Sequence, residues 1–140
     1  MSFNPNSIQK GAKREPRKII LYGPPKLGKS TMAGSTRNAL MIPTEDRVAH
    51  INCDKTDIVK SYDEILSVFD YLLNGQHAYK RVIIDTLDEF EPLLHQAICE
   101  KNNWKSLVED KNKETNFNKG LQVHAVAGWR KFLHNCDTLR

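Results

Sequence analysis

Three short apolar runs alternate along the chain with longer stretches in which apolar residues recur every three or four positions, which predicts strands and helices in turn. The runs are residues 18–22, 39–42 and 81–84, each too short for a helix. Each also ends in turn residues: Gly23-Pro24-Pro25, Pro43-Thr44 and Asp85-Thr86. Unbroken apolar runs of this length, where a half-exposed strand would alternate, mark strands covered on both faces. Ile58 and Val59 suggest a further short edge strand.

The helical stretches carry their own start and stop signals. After Gly28 a helix can run only about two turns before Gly34, Ser35 and Asn38 weaken it. Ser61-Tyr62-Asp63-Glu64 is a capping box that opens a helix with Ile65, Leu66, Val68, Phe69, Leu72 and Leu73 on one face, and Asn74-Gly75 closes it. A second amphipathic helix is expected over residues 87–101, burying Phe90, Leu93, Leu94, Ala97 and Ile98. A last one is expected over residues 121–140, with Val126, Trp129, Phe132, Leu133 and Cys136 inward. Residues 101–119 form a polar connector in which Trp104 and Phe117 are interleaved with lysines. Residues 1–16, with Lys10, Lys13 and Arg14 and no apolar period, read as a flexible basic arm ahead of one domain over residues 17–140. Strands alternating with helices give an α/β fold with a mostly parallel sheet flanked by helices.

The turn after the first apolar run carries the chemistry. Gly23-Pro24-Pro25-Lys26-Leu27-Gly28-Lys29-Ser30 meets the phosphate-binding P-loop pattern at every constrained position, and Thr31 follows. Glycine at 23 and 28 permits positive φ, so that successive backbone N–H groups turn inward and cradle phosphate oxygens. Lys29 is expected to reach the β- and γ-phosphates of ATP and Ser30 to ligate Mg²⁺, with the start of the next helix facing the phosphates. A nucleotide-binding set of Gly23, Pro24, Pro25, Lys26, Leu27, Gly28, Lys29, Ser30 and Thr31 follows. A turn serving only to join a strand to a helix has no need of Gly-Lys-Ser.

With a P-loop in place, the other strand ends gain meaning. Val82-Ile83-Ile84-Asp85 fits the companion strand known as Walker B, whose carboxylate holds Mg²⁺ through water. Thr86 follows Asp85, so no acid stands directly after it to serve as general base. Glu45, at the end of the second strand, is the preferred candidate to orient the attacking water. Asp88 and Glu89 fall in a helix's first turn, where the helix dipole alone favours acids. P-loop domains normally carry more strands than the three legible here, and the last helix is still in phase at Leu139, so the domain is expected to be truncated at its C-terminus.

Composition narrows the setting. The chain has 140 residues, 39% of them hydrophobic, enough for one core but with no stretch approaching a membrane span. The polar N-terminus lacks the apolar stretch of a signal peptide, and a cytoplasmic location is expected. Cys53, Cys99 and Cys136 are odd in number and widely spaced, which fits reduced thiols. The pairs His95/Cys99 and His50/Cys53 offer two ligands each, too few for a structural zinc site. A net charge of +4 leans modestly towards anionic partners.

Taken together, residues 21–31, Ile42-Pro43-Thr44-Glu45 and Val82-Ile83-Ile84-Asp85-Thr86 resemble the RecA-like ATPases encoded by bacteriophages, some of which act in single-strand annealing and recombination. The resemblance extends through Lys119-Gly120 and the helix bearing Trp129-Arg130, covering residues 17–140. It implies a RecA-like P-loop core, ATP and Mg²⁺ as cofactors, Glu45 and Lys29 as catalytic residues, and Ser30 and Asp85 at the metal. It also implies a further strand after the last helix, with a polar residue that senses the γ-phosphate. The connector of residues 101–119 would then hold the first loop facing single-stranded DNA, where its lysines meet phosphates and Trp104 or Phe117 stack on bases; a solvated linker, its charge diluted by Glu109, Asp110 and Glu114, is the alternative. Self-association or a phage recombination protein would complete the list of partners. Two rivals remain: a P-loop kinase for a small molecule, weakened because residues 101–119 contain no arginine, and a non-catalytic nucleotide-binding module.

Overall fold

The computed structural model describes residues 4–8, 11–12, 17–108 and 118–139. Most of the basic arm, and Phe117 with Lys111 and Lys113 of the connector, lie outside the described residues. The elements are helix α1 (Lys29–Gly34), strand β1 (Ala39–Pro43), strand β2 (Asp54–Lys55), helix α2 (Tyr62–Asn74), strand β3 (Arg81–Asp85), helix α3 (Leu87–Asn102) and helix α4 (Val126–Thr138).

The sheet is parallel, in the order β2-β1-β3. Its central strand is buried at every position, as an unbroken apolar run requires, and pairs with β3 from Ala39↔Arg81 to Pro43↔Asp85. Neighbouring residues of one strand point to opposite faces. Ile42, Val82 and Ile84 therefore join one cluster with Phe69, Phe90, Leu94 and Phe132 from α2, α3 and α4, while Met41 and Ile83 join another with Val48 and Ile51. Both faces of the sheet are thus covered, giving the α/β architecture expected of a P-loop NTPase core.

The larger cluster is knitted by aromatics. Phe132 stacks on Phe69 at 5.8 Å between ring centroids and meets Phe90 at 4.4 Å, and Trp129 lies 5.1 Å from Phe90. On the other face α1 closes against the smaller cluster. A side chain on Gly34 would approach Ile51 Cγ2 to 2.4 Å, so only glycine lets this helix end lie so close.

Helix α2 starts and stops where the sequence predicts, although Glu64 bonds one residue before the cap and Gly75 is extended at φ −84°. Ser61 accepts the Glu64 N–H at 3.2 Å, and the Glu64 carboxylate reaches back to the N–H of Lys60 at 2.7 Å. Thr86 caps α3 by accepting the N–H of Glu89, which starts that helix at Leu87 as expected.

Several expectations are corrected. Residues 17–22 form no strand: no ladder partner stands beside them among the described residues, and Ile19, Ile20 and Tyr22 are exposed. A strand owes its hydrogen bonds to a neighbour, so an apolar run alone does not make one. The edge strand falls at Asp54–Lys55, ahead of Ile58 and Val59, although the Val59 N–H still bonds the Pro43 carbonyl at 3.0 Å. The last helix begins with a wide π-helical segment, Gly120–Ala125, at whose start a side chain on Gly120 would run into the Leu107 carbonyl. Val126 and Leu133 are exposed, because the inward stripe runs through Trp129, Phe132 and Cys136 and these two sit one residue past it, about 100° around the helix. Leu73, in the last turn of α2, is exposed as well.

Candidate functional site

The loop of residues 23–28 leads from the extended segment into α1. Gly23 has φ 152° and Gly28 φ 79°, both in the range that glycine adopts freely, and Lys26 adds a further positive φ of 66°. The Lys29 ammonium turns back over the loop and donates to the carbonyls of Gly23 at 2.7 Å and Pro24 at 2.8 Å. Ser30 is half-buried beside it, whereas Pro24, Pro25, Leu27 and Thr31 are exposed. With six residues, α1 is as short as Gly34 and Ser35 predict.

Helix α1 lies against β3, the strand that ends in Asp85. Asp85 is the buried charged residue of the core, 9% exposed, and its Oδ2 is buried with no hydrogen-bond partner among the described residues. Such an oxygen is costly in an apolar setting unless a donor or cation meets it. A carboxylate of this kind at the end of β3 fits Mg²⁺ held through water, with Ser30 as the second oxygen donor.

Glu45 stands two residues past the end of β1, one strand over. Its side chain is 24% exposed and Oε2 lies 3.5 Å from Nε of the exposed Arg47. The loop that carries it is held from behind by Lys55, whose ammonium donates to the carbonyls of Val48 at 2.9 Å, Ala49 at 3.3 Å and Ile51 at 2.6 Å. Asp88 and Glu89 are exposed in the first turn of α3.

Two residues that sequence reasoning passed over organise this edge. One is Lys55, whose three carbonyl partners lie in the loop just before it. The other is Thr44, whose amide donates to the Asp85 carbonyl at 2.8 Å and whose hydroxyl both accepts the Thr86 N–H at 2.7 Å and donates to the Thr86 carbonyl at 2.8 Å. The peptide between Asp85 and Thr86 is cis. A hydroxyl at a strand end, one residue before an acid, was the only sequence signal available.

Elsewhere the chain is less suited to chemistry. All three cysteines are free thiols; burial pushes the Cys136 thiol above its ordinary range, with Asp137 adding to the shift and Lys18 opposing it, and burial raises Cys99 too. Burial likewise raises the Tyr62 hydroxyl. His95 lies 3.7 Å from Glu91 and Trp104 meets His124 edge to face at 4.7 Å. Among the described residues no three metal-binding side chains cluster together, and no helix is long and apolar enough to cross a membrane.

The match to known proteins agrees with this geometry. A family described as an AAA domain matches residues 15–138, nearly the whole chain, and the chain belongs to that family. AAA domains are nucleotide-binding, ATPase-type modules that generally use ATP and Mg²⁺. No curated protein and no solved structure matches the chain.

Proposed function

We propose that this protein binds ATP with Mg²⁺ in the loop of residues 23–30 and hydrolyses it, in the service of phage DNA recombination or single-strand annealing. The observation that carries the nucleotide reading is the buried Oδ2 of Asp85, without a hydrogen-bond partner among the described residues, on the strand packed against the P-loop helix. When bound, Mg²⁺ would draw charge from the phosphate oxygens. Backbone N–H groups of the loop would hold the phosphates, and Lys29 would leave its carbonyl partners to follow the γ-phosphate. Ser30 and Asp85 supply the oxygen donors on the metal side, and Glu45 takes the proton of the attacking water.

The recombination role rests on the resemblance of Glu45 and Asp85-Thr86 to the phage RecA-like pattern. Single-stranded DNA is the partner proposed for the connector, through Lys101, Lys105 and Lys119, in a domain spanning residues 17–140 and working in the host cytoplasm. Self-association would use the exposed run Ile19-Ile20, 75% and 76% accessible. Release of inorganic phosphate from Mg·ATP, measured with and without single-stranded DNA, tests the proposal. Turnover that rises with the DNA is expected. Tight binding without turnover would instead make the protein a non-catalytic nucleotide module, and transfer of phosphate to a small acceptor would make it a kinase.

A further inference from the structure

Thr44 stands between the two acids of the candidate site. The ladder joining β1 to β3 ends at Pro43↔Asp85, and its last rung is the Thr44 N–H on the Asp85 carbonyl. Beyond that rung both chains leave the sheet, one towards Glu45 and the other into α3, with no further backbone bond between them. The Thr44 hydroxyl replaces the missing rung. It donates to the Thr86 carbonyl and accepts the Thr86 N–H, so one side chain uses its single donor and one of its acceptor positions on the same residue. Thr86 is in turn fixed by α3, since its side chain accepts from Glu89 and its carbonyl accepts from Phe90 at 3.2 Å.

We propose that Thr44 is a positioning residue: its hydroxyl locks the residue before Glu45 to the residue after Asp85, and so holds the metal-side carboxylate and the water-side carboxylate at a fixed spacing. This rests on the nucleotide reading above. The hydroxyl bonds Thr86, and its effect passes through Thr86 to the backbone of Asp85. Losing it leaves the Thr86 N–H and carbonyl each short of a partner and lets the end of β3 drift from the end of β1.

The test is calorimetric titration of wild type, Thr44→Val and Thr44→Ser with Mg·ATP and with ATP in excess chelator. Thr44→Val keeps the shape and removes both bonds, and it should lose about tenfold of the affinity gain that Mg²⁺ confers while binding metal-free ATP as wild type does. Thr44→Ser keeps the hydroxyl and should stay within about twofold of wild type. Equal losses in Thr44→Val with and without Mg²⁺ would reduce Thr44 to a structural hydroxyl and overturn the proposal. A wild type that binds no Mg·ATP would instead overturn the nucleotide reading, and this inference with it. Should Thr44→Val fail to fold, the wild type still decides: exchange of the Thr86 amide proton should slow at least about threefold on adding Mg·ATP but not metal-free ATP. An unchanged rate in both would overturn the proposal.

Discussion

The Lys29 ammonium lies 2.7 Å from the carbonyl oxygen of Gly23, so the lysine closes the P-loop on itself. A cation held by neutral carbonyls is poised for exchange, because a phosphate oxygen adds its own negative charge to the attraction, which a carbonyl cannot. Among the described residues the Lys29 side chain bonds only the loop itself.

Asp85→Asn should weaken Mg·ATP more than metal-free ATP, since the lost charge acts on the phosphates only through the ion. Parallel titrations with Mg²⁺ and with chelator check this. Equal impairment in both would remove Asp85 from the metal side.

Glu45→Gln preserves size and loses basicity. Nucleotide affinity should stay near wild type while steady-state hydrolysis falls by roughly 10²- to 10⁴-fold. Asp88→Asn and Glu89→Gln, exposed acids of the first turn of α3, should cost at most about 1 kcal/mol of stability and little rate. An active Glu45→Gln protein beside an inactive Asp88 or Glu89 variant would move the base to α3.

Phe132→Ala should destabilise the fold by about 3–5 kcal/mol, because the 3% exposed ring joins α4 to Phe69 on α2 and Phe90 on α3. Leu133→Ala, one residue on and exposed, should cost well under about 1 kcal/mol. Urea unfolding followed by far-ultraviolet circular dichroism measures both.

Much of this was legible in the residues. Strands β1 and β3 follow from apolar runs that are sandwiched between two layers, and α2 and α3 from caps whose donors and acceptors are local in sequence. What was not legible depends on partners far along the chain. Residues 18–22 have the composition of a strand, yet pairing is a property of the neighbour. The need for glycine at 120 reflects the nearby Leu107 carbonyl, and the exposure of Val126 and Leu133 reflects a shift of one residue in the centre of the inward stripe. At the site, Gly23 and Gly28 announced their positive φ, and Asp85 its strand-end position. The Thr44 clamp emerges only from the fold, since it joins residues 42 apart; Lys55 gathers carbonyls close by in sequence, but only the shape of the loop brings them together.

The most direct test of the central claim, a P-loop that binds ATP, is calorimetric titration of wild type and Lys29→Ala with Mg·ATP. Because the ammonium bonds only loop carbonyls among the described residues, the variant should keep the wild-type circular dichroism spectrum and melting midpoint within a few degrees. The account predicts saturable binding at one site in the wild type and none detectable in the folded variant. Equal affinity in the two, or no binding to either, would contradict it.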